Sequence, residues 1–332
     1  MSRTNDVSAM RRRLLQAAAA LAGGLLSACE QPAAPSVAAP PLRIAMDLWA
    51  GYYPLLLAQE LGYFKAAGLE VEVSIPENTR RLLSDFSAGR YDGVCVSMGD
   101  MVTLTRSAPA ISMVLASDES AGADVLLGRA PPASAAALKG KRIGTSLTGF
   151  GELLVLRFLA RFGLSFDDVK LVNADASEVL AMLEKGELDF GHTWEPYVSQ
   201  AKAKGYAAIF SSADTPGLII DGLIFHRSVI EARTDALRLL LASWFRALAW
   251  WNSYPAEGDQ RLLALLKGKT SDVSRRGIRL LGLADNRAKF RPGDTDASAF
   301  HVVDQFVEHF VGRGYLVRRP KALDLIDPRL LP

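Results

Sequence analysis

From residue 42 onward the sequence switches repeatedly between two hydrophobic periods, and that alternation leaves few folds open. Residues 42–48 read as a short strand, and Trp49-Ala-Gly-Tyr-Tyr-Pro54 turns the chain, with Pro54 suited to the first turn of a helix. Residues 55–67 carry apolar side chains at helical spacing, Gly68 stops the run, and residues 69–73 alternate as a strand. The series continues with helices over 79–88 and 98–106 and strands over 93–96, 110–116 and 124–128. Ala130-Pro-Pro-Ala-Ser134 interrupts it, and a second series follows. Its strands are expected at 141–144, 169–172, 188–191 and 207–210, its helices at 151–162, 177–185 and 195–204. After a loop over 211–217 comes a further strand-like run, 218–225. From residue 233 the spacing predicts helices over 233–253, 258–266, 272–280 and 297–312.

Strands alternating with helices predict an α/β fold with parallel sheets covered on both faces. A body of about 300 residues exceeds what one core usually holds, so two lobes are expected. One α/β block, a second block, then a return strand and helices imply two crossings between the lobes. The expected boundaries are 42–128 plus 214–332 for the first lobe and 129–213 for the second, inserted one. Ligands of open α/β sheets bind at the carboxyl ends of the strands. Two sheets that point those ends at one cleft would enclose a solute when the hinge closes.

The first 41 residues have a different character. Arg11, Arg12 and Arg13 precede an apolar run from Leu14 to Leu26, too short to span a bilayer, which is the order of a secretory signal. The run ends in Leu26-Ser27-Ala28-Cys29, which resembles a bacterial lipobox. The resemblance implies cleavage after residue 28 and lipidation of Cys29. Arg11-Arg12-Arg13-Leu14-Leu15-Gln16 also resembles a twin-arginine motif, so both export routes stay open. Residues 29–41, rich in Pro and Ala without apolar bulk, read as a solvated tether. The chain is thus expected to be exported and held on a membrane facing the periplasm or cell exterior.

Charge narrows the partners. Removing the four arginines and one aspartate of residues 1–28 from 38 basic and 36 acidic residues leaves 34 and 35. A near-neutral body lacks the basic footprint of a nucleic-acid binder. With Cys29 lipidated, Cys95 remains alone, so no internal disulfide is expected. Its setting in Gly93-Val-Cys-Val-Ser97 reads as a small buried residue rather than a reactive thiol.

Several segments, in order, carry a family resemblance. They are Trp49-x-Gly-x-x-Pro54, Leu61-Gly-Tyr-Phe-Lys-x-x-Gly-Leu-Glu-Val71, Ala88-Gly-x-x-Asp-Gly93 and Leu138-Lys-Gly-Lys-Arg-Ile-Gly144. Gly186-Glu-Leu-Asp-Phe190, Trp194-Glu-Pro196 and Leu325-Ile-Asp-Pro-Arg-Leu-Leu331 complete the set. Together they resemble the nitrate/sulfonate/taurine-type periplasmic binding proteins of ABC importers, from about residue 42 to the end. The resemblance implies the type II periplasmic-binding-protein fold and capture of a small organic solute by hinge closure. It also implies partnership with permease and ATPase subunits, as a monomer. In it the loop Trp49–Tyr52, with Gly51, lines the pocket.

The residues themselves suggest where a solute would sit. Each strand-to-helix junction offers backbone N–H groups and the positive end of a helix dipole. Gly144-Thr-Ser-Leu-Thr-Gly-Phe-Gly151 is the best such junction, with Thr148 approaching the ligand and Phe150 covering it; Thr148 as a plain helix cap is the bland alternative. Trp49 and Tyr52 suit an aromatic cleft wall, or else a core cluster. Asn78 and Ser97 are donors or caps. Trp194 and Glu195 face the cleft from the other lobe, with Pro196 preorganising the helix; Glu195 could instead serve only the helix dipole. Asp118, Asp124 and Asp221 lie beside the expected hinge strands. Arginines at strand ends are limited to Arg80 and Arg106. An acid-rich, arginine-poor cleft disfavours a bare dianion and favours an amine, a zwitterion such as taurine, or a heterocycle such as a pyrimidine.

No enzyme motif stands out, and neither cofactor nor metal is expected. His192, His226, His301 and His309 lack ligand spacing to one another and to Cys95. Gly149-Phe-Gly151 lacks the lysine of a phosphate loop, and no serine is flanked as in a nucleophile elbow. The alternatives are an enzyme on the same fold, of pyrimidine-precursor or menaquinone-pathway type, or an extracellular ligand sensor. Cytoplasmic pathways sit poorly with a lipobox, and the cysteine-rich motif of the pyrimidine-precursor enzyme is missing.

Overall fold

The computed structural model describes residues 40–332, so the signal, the lipobox with Cys29 and nearly all of the tether lie outside the described residues. The chain runs β1 (Leu42–Met46), α1 (Tyr53–Glu60), α2 (Tyr63–Ala66), β2 (Val71–Ser74), α3 (Thr79–Ser87), β3 (Gly93–Ser97), α4 (Met98–Leu104) and β4 (Ile111–Ser120). It continues through β5 (Val125–Gly128), α5 (Ala135–Leu138), β6 (Arg142–Thr145), α6 (Gly151–Ala160), β7 (Lys170–Asn173), α7 (Val179–Glu184), β8 (Phe190–Thr193), α8 (Tyr197–Ala203) and β9 (Ala207–Ser211). Then come β10 (Ile220–His226), α9 (Arg227–Ala232), α10 (Thr234–Ser253), α11 (Pro255–Leu265), β11 (Ile278–Leu280), α12 (Leu283–Lys289), α13 (Ala299–Gly312) and α14 (Ala322–Leu325).

The strands form a six-stranded sheet in the order β11-β4-β10-β3-β1-β2 and a five-stranded sheet in the order β7-β6-β8-β5-β9. The chain passes from the first sheet to the second between β4 and β5 and returns between β9 and β10. This is the two-crossing α/β architecture that the alternation of periods predicts.

The sheets are mixed, not purely parallel. β10 lies antiparallel to both β3 and β4, and β5 lies antiparallel to both β8 and β9. The cause is the crossings. A strand that enters a sheet from the cleft must run against neighbours whose carboxyl ends point toward it. For the same reason the expected boundary at residue 128 is displaced: β5 belongs to the second sheet, between β8 and β9, and not with 42–128.

Two helices expected from spacing resolve differently. The run 55–67 is split at Gly62, whose φ of 71° ends α1 and begins α2. The helix expected over 272–280 is instead a loop and the edge strand β11, which pairs antiparallel with the polar end of β4. That pairing is non-local, and the periodicity of nine residues carries no sign of it.

Two apolar clusters flank the first sheet. One takes the buried stripe of α10, including Leu237, Leu241, Trp244 and Trp251, against Leu55, Leu57 and Phe225. The other joins Phe306 and Phe310 of α13 to Leu154 and Phe158 of α6, so it spans both sheets' helices. A smaller cluster around Val125, Leu127 and Val179 covers the far face of the second sheet.

Candidate functional site

β4 and β10 are neighbours in the first sheet, and their polar ends meet beside the crossings. Asp221 pairs in register with Asp118 on one side and Ser97 on the other. Asp118 is fully buried; its Oδ1 accepts from Trp49 Nε1 at 3.0 Å and its Oδ2 from Ser117 Oγ at 2.7 Å. Asp221 Oδ1 accepts from the Tyr52 hydroxyl at 2.5 Å. Gly51 makes this possible, because a Cβ there would collide with the Asp118 carboxylate and come within 2.7 Å of Trp49 Nε1.

Around this pair is a cavity of about 360 Å³, part of it open to solvent. From the first sheet's side it is lined by Asp47, Trp49, Tyr52, Thr79, Ser97, Asp100 and Asp221, with Cys95 and Val96 at the floor. Asp124, Phe150 and Trp194 line it from the second sheet's side. Gly99 lets the two sides close up: the Phe150 Cβ would stand 2.7 Å from a Cβ at that glycine. Phe150 and Trp194 stack obliquely, their ring centroids 5.7 Å apart. An adjoining recess of about 310 Å³ shares Asp47, Thr79 and Trp194 and adds Asn78, Asp175 and Tyr197.

The electrostatics of the cavity are one-sided: among the described residues no lysine or arginine lines it. Burial pushes Asp100 up to about 7, against the hydrogen bond that Ser97 Oγ donates at 2.7 Å. Burial likewise pushes Asp118 up to about 7 and Asp47 up to about 6, the latter although Thr79 donates its hydroxyl to it. Asp221 is raised well above the usual carboxylate range by burial and then by the charge of Asp118. Burial also drives the Tyr52 phenol and the Cys95 thiol upward, with the two aspartates adding to it. Asp124 has a histidine beside it, His192, whose Nε2 lies 3.2 Å from Asp124 Oδ1 with both side chains buried. No group of three or more His, Cys, Asp or Glu among the described residues is placed to hold a metal ion.

The sequence candidates divide accordingly. Trp49, Tyr52, Ser97, Phe150, Trp194 and Asp221 line one cavity, with Gly51 and Asp118 directly behind it. Asn78 caps α3, accepting from the Arg81 amide at 2.9 Å, and reaches only the adjoining recess. Glu195 does not line the cavity. Its two oxygens are taken by the amide and hydroxyl of Ser199, each at 3.0 Å, which is the helix-serving role.

Thr148 is neither a cavity wall nor the cap of α6, a place that falls to Phe150. It has a φ of 67°, donates its amide to Glu152 Oε1 at 2.7 Å and accepts from the Thr103 hydroxyl. Pro196 occupies the cap position before α8, after a cis peptide bond. Arg80 is exposed, 3.9 Å from Glu178, and neither it nor Arg106 reaches the cavity. Residue-by-residue reading missed Asp47, Thr79 and Asp100. Each stands at or just beyond a strand's carboxyl end or in a helix's first turn, and that position was the available signal.

This geometry, two α/β lobes with strand ends turned toward an acid- and aromatic-lined cleft, is the type II periplasmic-binding-protein architecture. The NMT1/THI5-like family model matches residues 49–258, and the chain belongs to that family. Among curated relatives, a Brucella abortus protein that carries the provisional name of a binding protein is 26% identical over 164 residues, 49% of this chain and 50% of that one. The 4-amino-5-hydroxymethyl-2-methylpyrimidine phosphate synthase THI13 of Saccharomyces cerevisiae is 27% identical over 142 residues, 42% of this chain and 41% of that one. The chain spans about half the length, or less, of these relatives. Among solved structures, the alkanesulfonate-binding protein SsuA from Xanthomonas axonopodis pv. citri, bound to MOPS, superposes with a TM-score of 0.69 at 17% identity. That match covers 87% of this chain and 99% of SsuA, and it establishes the common fold.

Proposed function

We propose that this protein is the solute-binding component of an ABC importer: an exported lipoprotein, anchored through Cys29, that captures a small organic solute between its lobes. It then presents the closed form to a permease and its ATPase. The lobes are 42–120 with 220–332, and 125–211. The observation that carries the reading is the cavity whose walls come from both sheets. Asp47, Trp49, Tyr52 and Asp221 stand on one side, Phe150 and Trp194 on the other. A ligand touching both sets binds the closed state more tightly than the open one, and that difference in affinity is all that transport signalling requires.

Trp194 is half-buried and makes the most direct test. A thermal-shift screen of sulfonates, amines, nitrate and pyrimidines should find a solute that raises the melting temperature, since a ligand selective for the folded form stabilises it. Trp194→Ala should weaken that solute at least tenfold while the circular dichroism spectrum stays unchanged. A screen that produces no shift, or a variant that binds as tightly as the parent, would refute the cleft as the binding site.

The yeast synthase relative supports a second reading, an enzyme on this fold. Against it stands Cys95, the one thiol near the cavity among the described residues, which is fully buried and held in its protonated form by burial and by two aspartates, a poor setting for a nucleophile.

A further inference from the structure

The cavity gathers buried carboxyl groups with no lysine or arginine on its lining, and that imbalance specifies a ligand. Asp100 and Asp221 are each more than nine-tenths buried and line the cavity. Ser97 donates to one oxygen of Asp100, and Tyr52 donates to one oxygen of Asp221. Among the described residues nothing donates to the second oxygen of either. Both residues line the cavity, so these oxygens are open to it, and a bound donor would take the place of solvent there. Asp47 adds a third carboxylate to the same wall.

The aromatic walls point the same way. Trp49, Tyr52, Phe150 and Trp194 line the space. Aromatic faces attract a cation through the ring quadrupole and accept a flat ligand by stacking. An anionic headgroup would find no lysine or arginine on the lining, and it could be tolerated only with the neighbouring carboxyls kept protonated, whereas a cation pairs with them as they ionise.

We infer that the solute is a compact, flat organic cation that donates N–H groups, of the amidinium or protonated amino-heterocycle kind, and not a sulfonate. The inference rests on the solute-binding reading and sharpens it. The N–H groups of the cation satisfy the free oxygens of Asp100 and Asp221, while its plane lies between Trp194 and the Trp49–Tyr52 wall. Sharing a fold with alkanesulfonate-binding SsuA does not conflict with this, since the fold supplies the cleft and the lining residues supply the sign of the charge.

Matched probes decide the matter. Benzamidinium and benzenesulfonate carry the same ring with opposite headgroups, and each is titrated calorimetrically into the full chain at pH 8. Benzamidinium should bind at least tenfold more tightly than benzenesulfonate. Asp100→Asn and Asp221→Asn should each weaken benzamidinium at least tenfold, and Asp100→Asn keeps the test decisive if the strand variant fails to fold. Near pH 7 binding of the cation should also release protons, visible as an enthalpy that depends on the buffer. Tight benzenesulfonate binding with benzamidinium silent would overturn the cation inference and leave the solute-binding reading standing. Silence from both probes, and from guanidinium and taurine as well, with no change in tryptophan fluorescence, would overturn both.

Discussion

The buried carboxyl groups at the cleft and the single buried carboxylate between α6 and α13 are handled by this chain in opposite ways. Glu152, in the first turn of α6, is fully buried yet completely provided for. Its Oε1 takes the Thr148 amide at 2.7 Å, and its Oε2 lies 3.3 Å from His309 Nε2 and 3.4 Å from Arg313 Nε. Burial alone would push this carboxyl up. The His309 bond, the Thr148 amide and the charge of Arg313 outweigh burial and hold it below its ordinary value. At the cleft the same burial meets no guanidinium or ammonium, and Asp100, Asp118 and Asp221 are all raised. A carboxylate that the fold supplies with its own cation is a structural joint. One that the fold leaves short is costly in the empty protein and available to something from outside.

The largest effect should come from dismantling the provided site. Glu152→Ala leaves His309 and the Thr148 amide facing a buried space without an acceptor, and it frees Arg313 from its anchor. A loss of about 3 kcal/mol is expected, as for truncating one partner of a buried ion pair. Urea denaturation at neutral pH measures it. The pH dependence has a definite sign. The depressed value of Glu152 contributes stability that is present above the ordinary glutamate range and lost as pH falls through the folded-state value. The parent's stability should therefore drop in acid more steeply than that of Glu152→Gln. Equal acid limbs would mean that the ion pair is idle.

The cleft should show the reverse. Asp100 titrates near 7 when folded against an ordinary 3.8, so the folded state holds the proton longer and stability falls as pH rises through that window. The groups facing it are Ser97, Asp47, Asp124 and Asp175, none of them cationic. Asp100→Asn should leave the unliganded protein unchanged only below the ordinary value of 3.8, and should stabilise it increasingly as pH rises from there toward 7. At pH 8 it should stabilise it, on the order of 1–3 kcal/mol. A variant less stable than the parent at pH 8 would show that Asp100 is structural after all, and the contrast with Glu152 would fail.

That contrast explains what the sequence could and could not disclose. The alternation of periods was enough for two α/β blocks and two crossings, because each strand and helix declares itself within a few residues. It could not place β5 in the second sheet or turn 272–280 into the edge strand β11, since both depend on partners distant in the chain. Trp49, Tyr52, Phe150 and Trp194 were legible as aromatics beside strand ends. Asp47 was absorbed into the strand read over 42–48, and Asp100 looks like any first-turn acid. Only the tertiary arrangement reveals that no cation accompanies them. Glu152 likewise reads as a dipole partner of α6 until α13 delivers His309 and Arg313 from more than 150 residues away.

The smallest effect sharpens the comparison from the backbone side. Thr148 holds a left-handed φ of 67°, which a β-branched residue adopts at a cost of about 1–3 kcal/mol. It is kept there because its amide must reach Glu152, while its carbonyl takes the Thr103 hydroxyl from α4 across the crossing. Thr148→Gly removes the strain and keeps both backbone bonds, but it adds freedom to the unfolded chain, so the two terms nearly offset. A change within about 1 kcal/mol is expected, with solute affinity altered less than threefold because Thr148 lies off the cavity wall. Thr148→Pro deletes the amide itself, and its effect should approach that of Glu152→Ala. If the glycine variant instead lost affinity as severely as Trp194→Ala, the Thr148 junction would belong to the cleft and not to the joint that holds α6 against α13.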